Sequence, residues 1–270
     1  MFRYLIIILS LLTWSTSTLA QFRIPQDQNV LGVLNLKSNP TIIDPLSFKV
    51  FVWNISKGRE SIWKNDFLKY SAHSDILILQ ETYLSKSVKQ VFNKLDNLQF
   101  STAVSWIDNK NIKTGISIAS KGDFEISHWQ RSQFREVLFF TPKMTLFQKY
   151  RIKGRDDYLL VGNIHALNFV SLSSYKNMLL SATSYLSTHS GPAIFAGDFN
   201  TWSRKRLFFM NQVFKNLGYT QVHFKSDYRS RFFGNTVDHI WVKGLHIIKS
   251  EVIKLQSSDH NPLLIEAQMY

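Results

Sequence analysis

The 270-residue chain predicts an α/β or α+β layer protein with at least two sheets, folded as one domain. Three observations carry this reading. Short apolar runs rich in β-branched and aromatic residues recur along the chain, mostly beside another such run, with single amphipathic stretches interspersed. Only 11 Gly and 6 Pro punctuate it, and no internal linker, low-complexity tract or fixed-period repeat divides it. With 44% hydrophobic residues, the length suffices for one large core or two small ones.

The elements follow in order. MFRYLIIILSLLTWSTSTLA has one basic residue, Arg3, an apolar run from Tyr4 to Trp14, and a small-residue end at Thr18-Leu19-Ala20. This is the three-part build of a cleavable signal peptide, and the apolar run is about half the ~20 residues a spanning helix needs. It predicts a secreted or periplasmic protein, with an uncleaved N-terminal anchor as the alternative. Residues 21–46, with Pro25, Pro40 and Pro45, read as a linker or loose N-terminal arm. The domain proper occupies residues 47–270, and from Phe48 the signals are regular.

FKVFVWNI predicts a strand. RESIWKNDFLKYSAHS predicts a helix through Ile62, Trp63, Phe67 and Tyr70. DILILQE is a buried strand ending in Glu81, and SVKQVFNKLDNL a helix striped by Val88, Val91, Phe92 and Leu95. Five strands follow, in FSTAVSWI, TGISIAS, FEISHWQ, KMTLFQKYRI and YLLVGNIH. A helix near 173–188, a strand ending at Asp198 and a helix near 203–217 come next. TVDHIWV, IIKSEVIKL and PLLIEAQM are the last strands.

Lys and Arg number 32 against 19 Asp and Glu, a net charge of +13, one less once Arg3 leaves. Such charge favours polyanionic partners: nucleic acid, anionic lipid or phosphorylated small molecules. The basic residues are spread along the chain, so charge alone selects none of them, and a generic basic surface is the competing reading. The absence of cysteine excludes disulfides and thiolate metal sites.

Several apolar strands end in polar residues. They reach Asn54, Glu81, His165, and Asp198 with Asn200; Asp238 lies in a strand, and Asp259-His260 just precede one. A single such residue is usually a turn former. Six agreeing positions predict convergence on one rim of a sheet sandwich. Hard carboxylate oxygens suit Mg²⁺, Mn²⁺ or Ca²⁺. A metal–carboxylate centre flanked by histidines suits phosphoester hydrolysis, in which the ion neutralises the phosphate and carboxylate and imidazole move protons or meet charge.

The ordered set QE, NIH, GDFN, VDHIWV and SDHNP resembles the endonuclease/exonuclease/phosphatase superfamily, from about Phe48 to the C-terminus. NIHALNF, AGDFNTWSR and DHIWVKGL with SSDHNPL are similar to its YafD-like bacterial branch. The resemblance implies a four-layer α/β/β/α sandwich and a metal-dependent hydrolase of phosphoester bonds using Mg²⁺ or Mn²⁺. It assigns Glu81 to the metal, with Asn54 nearby and Asp259 completing the site. Asp198 would orient or deprotonate water, and Asn200 would hold a phosphate oxygen. His260, oriented by Asp238, would stabilise the transition state, with His165 near the leaving group or phosphate.

Because neighbours in a strand alternate faces, Asp238 and His239 cannot both enter the cleft; the resemblance favours Asp238, leaving His239 to packing. His73, His128, His189, His223 and His246 match no motif. Ser56, where the abasic-site repair branch has Asp or Asn, and His165, where it has Tyr, argue against a repair endonuclease. The expected function is a secreted nuclease-like phosphodiesterase acting as a monomer without an obligate protein partner. Trp202, Arg204, Lys205 and Arg206, directly after GDFN, are the candidate nucleic-acid contacts. A sphingomyelinase-like lipid phosphodiesterase, using Phe232 and Phe233 in an exposed hairpin, an inositol-phosphate phosphatase and a catalytically silent binding module are the alternatives.

Overall fold

A computed structural model describes residues 22–36, 41–136 and 140–270. The signal-like segment and Pro40 lie outside them. Strands β1 (Leu31–Leu34), β2 (Phe48–Asn54), β3 (Ile76–Tyr83), β4 (Gln99–Ile107), β5 (Lys113–Ser120), β14 (Leu245–Val252) and β15 (Leu263–Met269) form one sheet in the order β1-β4-β5-β3-β2-β15-β14. Strands β6 (Phe124–Arg131), β7 (Met144–Arg151), β8 (Tyr158–His165), β9 (Ala193–Asp198), β10 (Thr220–Gln221) and β13 (Asp238–Lys243) form a second, ordered β10-β13-β9-β8-β7-β6. A small ribbon pairs β11 (Arg231–Phe232) with β12 (Asn235–Thr236). Helices α1 (Trp63–Ser71) and α2 (Lys86–Phe92) cover the first sheet, and α3 (Leu172–Ser187) and α4 (Arg204–Asn216) the second.

Alternation along the strands builds the layers. Val50, Val52, Ile76 and Ile78 from one sheet meet Val161, Ile194, Ala196 and Ile240 from the other in the central core. Their odd-even neighbours face outward: Phe51, Trp53, Leu77 and Leu79 toward α1 and α2, and Leu160, Phe195 and Trp241 toward α3 and α4. The molecule is thus the four-layer α/β/β/α sandwich expected.

The N-terminal arm is not loose. β1 pairs with β4, Arg23 bridges Ile107, and Val30 and Ile43 are fully buried. The expectation missed it because β1 is short and its side chains are only half covered.

The parallel pairs β2/β3 and β8/β9 point their C-terminal ends to the same rim. β13 begins there, and the loop before β15 returns to it. Open α/β sheets bind ligands at this end.

Candidate active site

Three strands place three ionisable groups in a row. Asp238 on β13 is the register partner of Asp198 on β9, which is the partner of His165 on β8. All three share strand parity with the central core, so they point into the space between the sheets where that core gives out.

Gly197 is what lets the row form. Its φ is 140°, and a Cβ there would lie 2.1 Å from the Ile164 carbonyl oxygen, so only glycine permits this approach of β9 to β8. The chain then turns at Asn200, whose φ of 50° is one that asparagine tolerates better than most residues. The Asn200 backbone N–H donates to Asp198 Oδ1 at 2.9 Å, and its side-chain amide donates to the Ala166 carbonyl at 2.8 Å. Asn54 Nδ2 donates to Asp198 Oδ2 at 3.2 Å. Asp198 is therefore held through both oxygens.

His260 is delivered by the loop before β15. Its Nδ1 lies 2.8 Å from Asp238 Oδ2 and its Nε2 3.9 Å from Asp198 Oδ2, while Trp53 Nε1 donates to its carbonyl at 2.7 Å. On the other side of Asp198, His165 Nε2 approaches the same Oδ2 at 3.5 Å. The two imidazoles are electrostatically distinct. Burial works against the His260 cation, but the Asp238 and Asp198 carboxylates outweigh it and push the group up to about 10. Burial, with Lys143 and His260 nearby, holds His165 well below its ordinary range, so it is neutral. Burial also raises Asp198 to about 7, against the pull of His260.

Strict alternation would have turned Glu81 out of the cleft, since Gln80 shares the parity of Ile76 and Ile78. A β-bulge prevents this. Leu79 pairs with Ser117 but Thr82 with Gly115, so two residues of β3 oppose one of β5, and Glu81 takes a φ of 53°. The Glu81 carboxylate is thereby aimed into a cleft of about 450 Å³ that it lines with His165, Asp198, Asn200, Asp259 and His260. Asn54 and Asp238 stand buried behind them.

The cleft also holds cations that sequence reasoning missed: Lys57, Arg59 and Lys143. Lys143 Nζ lies 3.1 Å from His165 Nε2 and 3.4 Å from Glu136 Oε1. Burial lowers the Lys57 ammonium, partly offset by Glu81. Lys57 sits in the tight turn after Asn54, where Ser56 N–H donates to Asn54 Oδ1 at 3.1 Å. No residue type or spacing marked these lysines; only the fold brings them in.

The run after GDFN is split by the helix it starts. Arg204 and Lys205 are exposed, and Trp202 is half-buried. Arg206 is 1% exposed, and its guanidinium donates to the carbonyls of Leu167, Asn200 and Val170. Its assignment as a nucleic-acid contact is therefore corrected: one helical position inward, the same charge becomes an internal tie.

His239 is fully buried and points away from the cleft, as expected. Its Nδ1 accepts from Gln221 Nε2 at 2.7 Å and from Arg229 Nη1 at 3.2 Å. That network assigns the proton to Nε2, which faces Thr201 Oγ1 at 2.7 Å.

Asp198, Asp238 and His260 offer ligand atoms within 4.8 Å of one another, a cluster able to hold a metal ion. Their atoms are already engaged, however, by Asn54, Asn200 and each other. Among the described residues the Glu81 carboxylate has no hydrogen-bond partner, and the carboxylate of Asp259, an exposed residue, accepts only from Ser258 Oγ, at 3.3 Å. Two uncommitted carboxylates beside the cleft, with no thiolate in the chain, fit a hard divalent cation.

The profile of the Endonuclease/Exonuclease/phosphatase family matches residues 51–260. The chain belongs to that family, whose members are hydrolases acting on phosphoester bonds. A UPF0294 protein of Vibrio parahaemolyticus is 34% identical over 219 residues, covering 80% of this chain and 76% of its own length. The human Nocturnin catalytic domain, solved with bound sulfate, superimposes with a TM-score of 0.65 at 16% identity, over 92% of this chain and 99% of its own. An endonuclease/exonuclease/phosphatase from Bacteroides vulgatus does so at 0.64 and 15% identity, over 83% and 99%. The last two likenesses are of fold.

Proposed function

We propose that the cleft hydrolyses phosphodiester bonds with the help of a divalent cation, Mg²⁺ or Mn²⁺, and that its substrate is nucleic acid. The observation that carries this reading is the Asp238–His260 contact at 2.8 Å, set in register beside Asp198. Asp198, raised toward neutrality, is suited to take a proton from the attacking water. As the water oxygen bonds to phosphorus, the bond to the leaving oxygen breaks. The cationic His260 presents Nε2–H to a non-bridging oxygen, and Asp238 fixes its ring. Asn200 and Lys143 supply further N–H donors. Glu81 and Asp259 would hold the cation, which supplies charge neutralisation of the phosphate.

The basic composition and the cleft cations Lys57, Arg59 and Lys143 support a polyanionic substrate. The signal-like first 20 residues support a secreted or periplasmic enzyme that meets nucleic acid outside the cell.

The test is turnover by the full chain of bis(p-nitrophenyl) phosphate, single- and double-stranded DNA, RNA, sphingomyelin vesicles and inositol phosphates. Diester cleavage with Mg²⁺ or Mn²⁺, abolished by EDTA and restored by the metal, is expected. Activity surviving EDTA in protein free of metal by elemental analysis overturns the cation. No turnover of any substrate leaves a binding module instead.

A further inference from the structure

Left-handed backbone is a place for glycine or asparagine, and bulky residues there are strained. Phe233 has a φ of 48° and Phe169 a φ of 42°. Neither ring is rewarded by burial: Phe233 is 78% exposed and Phe169 49%. Phe233 forms, with Gly234, the two-residue loop between β11 and β12, where Asn-Gly would be the unstrained choice. Phe140 shares both features, with a φ of 53° and 53% exposure, so strain and exposure alone do not single out Phe169 and Phe233; their joint packing does.

They also stand together. Trp202 lies between them, its ring centre 6.0 Å from Phe169 and 5.9 Å from Phe233. Phe232, adjoining Phe233, lines the catalytic cleft 5.9 Å from His260. The rings form a ridge running from the catalytic histidine along the rim, contributed by the loops after β8 and β9 and by the ribbon before β13. Exposed Arg204 and Lys205 follow Trp202 after the single residue Ser203.

We infer that this ridge is a base-stacking platform for single-stranded nucleic acid whose scissile phosphate lies in the cleft, an inference resting on the phosphodiesterase reading above. Continuity with the cleft makes the occupant part of the substrate itself. A line of rings drawn from three loops, with cations beside it, matches a polymer carrying a flat group and a charge at each unit. A lipid-inserting tip would be the hairpin by itself, whereas here Phe233 is packed on Trp202 and, through it, on Phe169, from two other loops. Duplex DNA keeps its bases stacked inside and has no faces to offer.

The test replaces both strained rings with the residue their backbone prefers, F169N/F233N, in the full chain. Binding of a fluorescent single-stranded oligonucleotide, read by anisotropy in EDTA, is expected to weaken tenfold or more, the size of losing one or two stacked bases. The thermal midpoint should hold or rise, because asparagine relieves the φ strain. Phe208→Ser, exposed on α4, serves as a control that leaves binding unchanged. Unchanged oligonucleotide affinity in F169N/F233N overturns the platform. So does an equal loss on duplex DNA, or a loss seen only in sedimentation with sphingomyelin vesicles, which assigns the ridge to lipid. Because anisotropy needs no turnover, an inactive wild-type chain would overturn the phosphodiesterase reading while still deciding this one.

Discussion

Arg206 and Asn200 are joined in the interior, the guanidinium Nη1 donating to the Asn200 carbonyl at 3.1 Å. The same nitrogen reaches Leu167 O at 2.8 Å, and Nη2 reaches Val170 O at 2.9 Å. One side chain therefore ties the loop after His165 to the loop after Asp198. It makes no ion pair among the described residues; the Tyr175 and Trp202 rings cover it at 4.4 and 4.5 Å. Arg206→Met would leave three buried carbonyls without this donor. We expect a loss of about 3 kcal/mol or more, read as a shift of the urea midpoint, with Arg206→Lys losing less. An unchanged midpoint would contradict the tie.

The surface part of the same run behaves differently. Arg204→Ala combined with Lys205→Ala should leave stability within about 0.5 kcal/mol. If both residues contact phosphates, the log–log salt slope of oligonucleotide binding flattens by about 2. A slope identical to wild type would remove them from the interface.

The two neighbouring Asp-His pairs separate by what they lose. His260→Ala should cut kcat by about 100- to 1000-fold, the loss expected for one oriented transition-state donor, while the folded fraction stays high. His239→Ala should instead lower the denaturation midpoint, since Gln221, Arg229 and Thr201 lose their partner. Equal kcat losses in two fully folded variants would show that the cleft-facing histidine has been misassigned.

His239 also predicts an acid limb in stability. Burial and the Arg229 charge lower it from 6.5 to about 3 in the folded protein. Between those values the unfolded chain binds a proton that the native chain refuses. Its contribution is thus complete above pH 6.5 and is lost as pH falls toward 3. His239→Gln, which keeps a side-chain donor and acceptor but cannot titrate, should flatten the urea-midpoint profile over that window. A profile as steep as wild type would assign the limb to other groups.

How much of this was legible depends on what each residue's role rests on. The alternation of β2, β9 and β13 and the stripe of α2 are local patterns; the two-sheet layering follows from them, as does the rule that Asp238 and His239 cannot share the cleft, while the choice of Asp238 and the four-layer arrangement rest on the family resemblance. Glu81 was found by motif order alone, because the bulge that aims it breaks the alternation used elsewhere. Lys57 and Lys143 carry no local signal, their place at the site depending on pairings between distant strands. Arg206 was misread because a helix start puts adjacent residues in opposite surroundings, and a run of like charges hides which one turns inward.

β15 lies between β2 and β14, so one of the latest segments is laid against one of the earliest. Asp259 and His260 arrive with it, and the Trp53 indole on β2 clasps the carbonyl of His260. Synthesis reads as a timer on the chemistry. Any nascent stretch that stops before Asp259 can assemble strands and loops but lacks the cationic imidazole and one of the free carboxylates. Closure over this sequence distance is slow by nature, so the cleft is complete only once β15, a strand that carries no chemistry of its own, has settled between β2 and β14, one place in from the edge of the sheet.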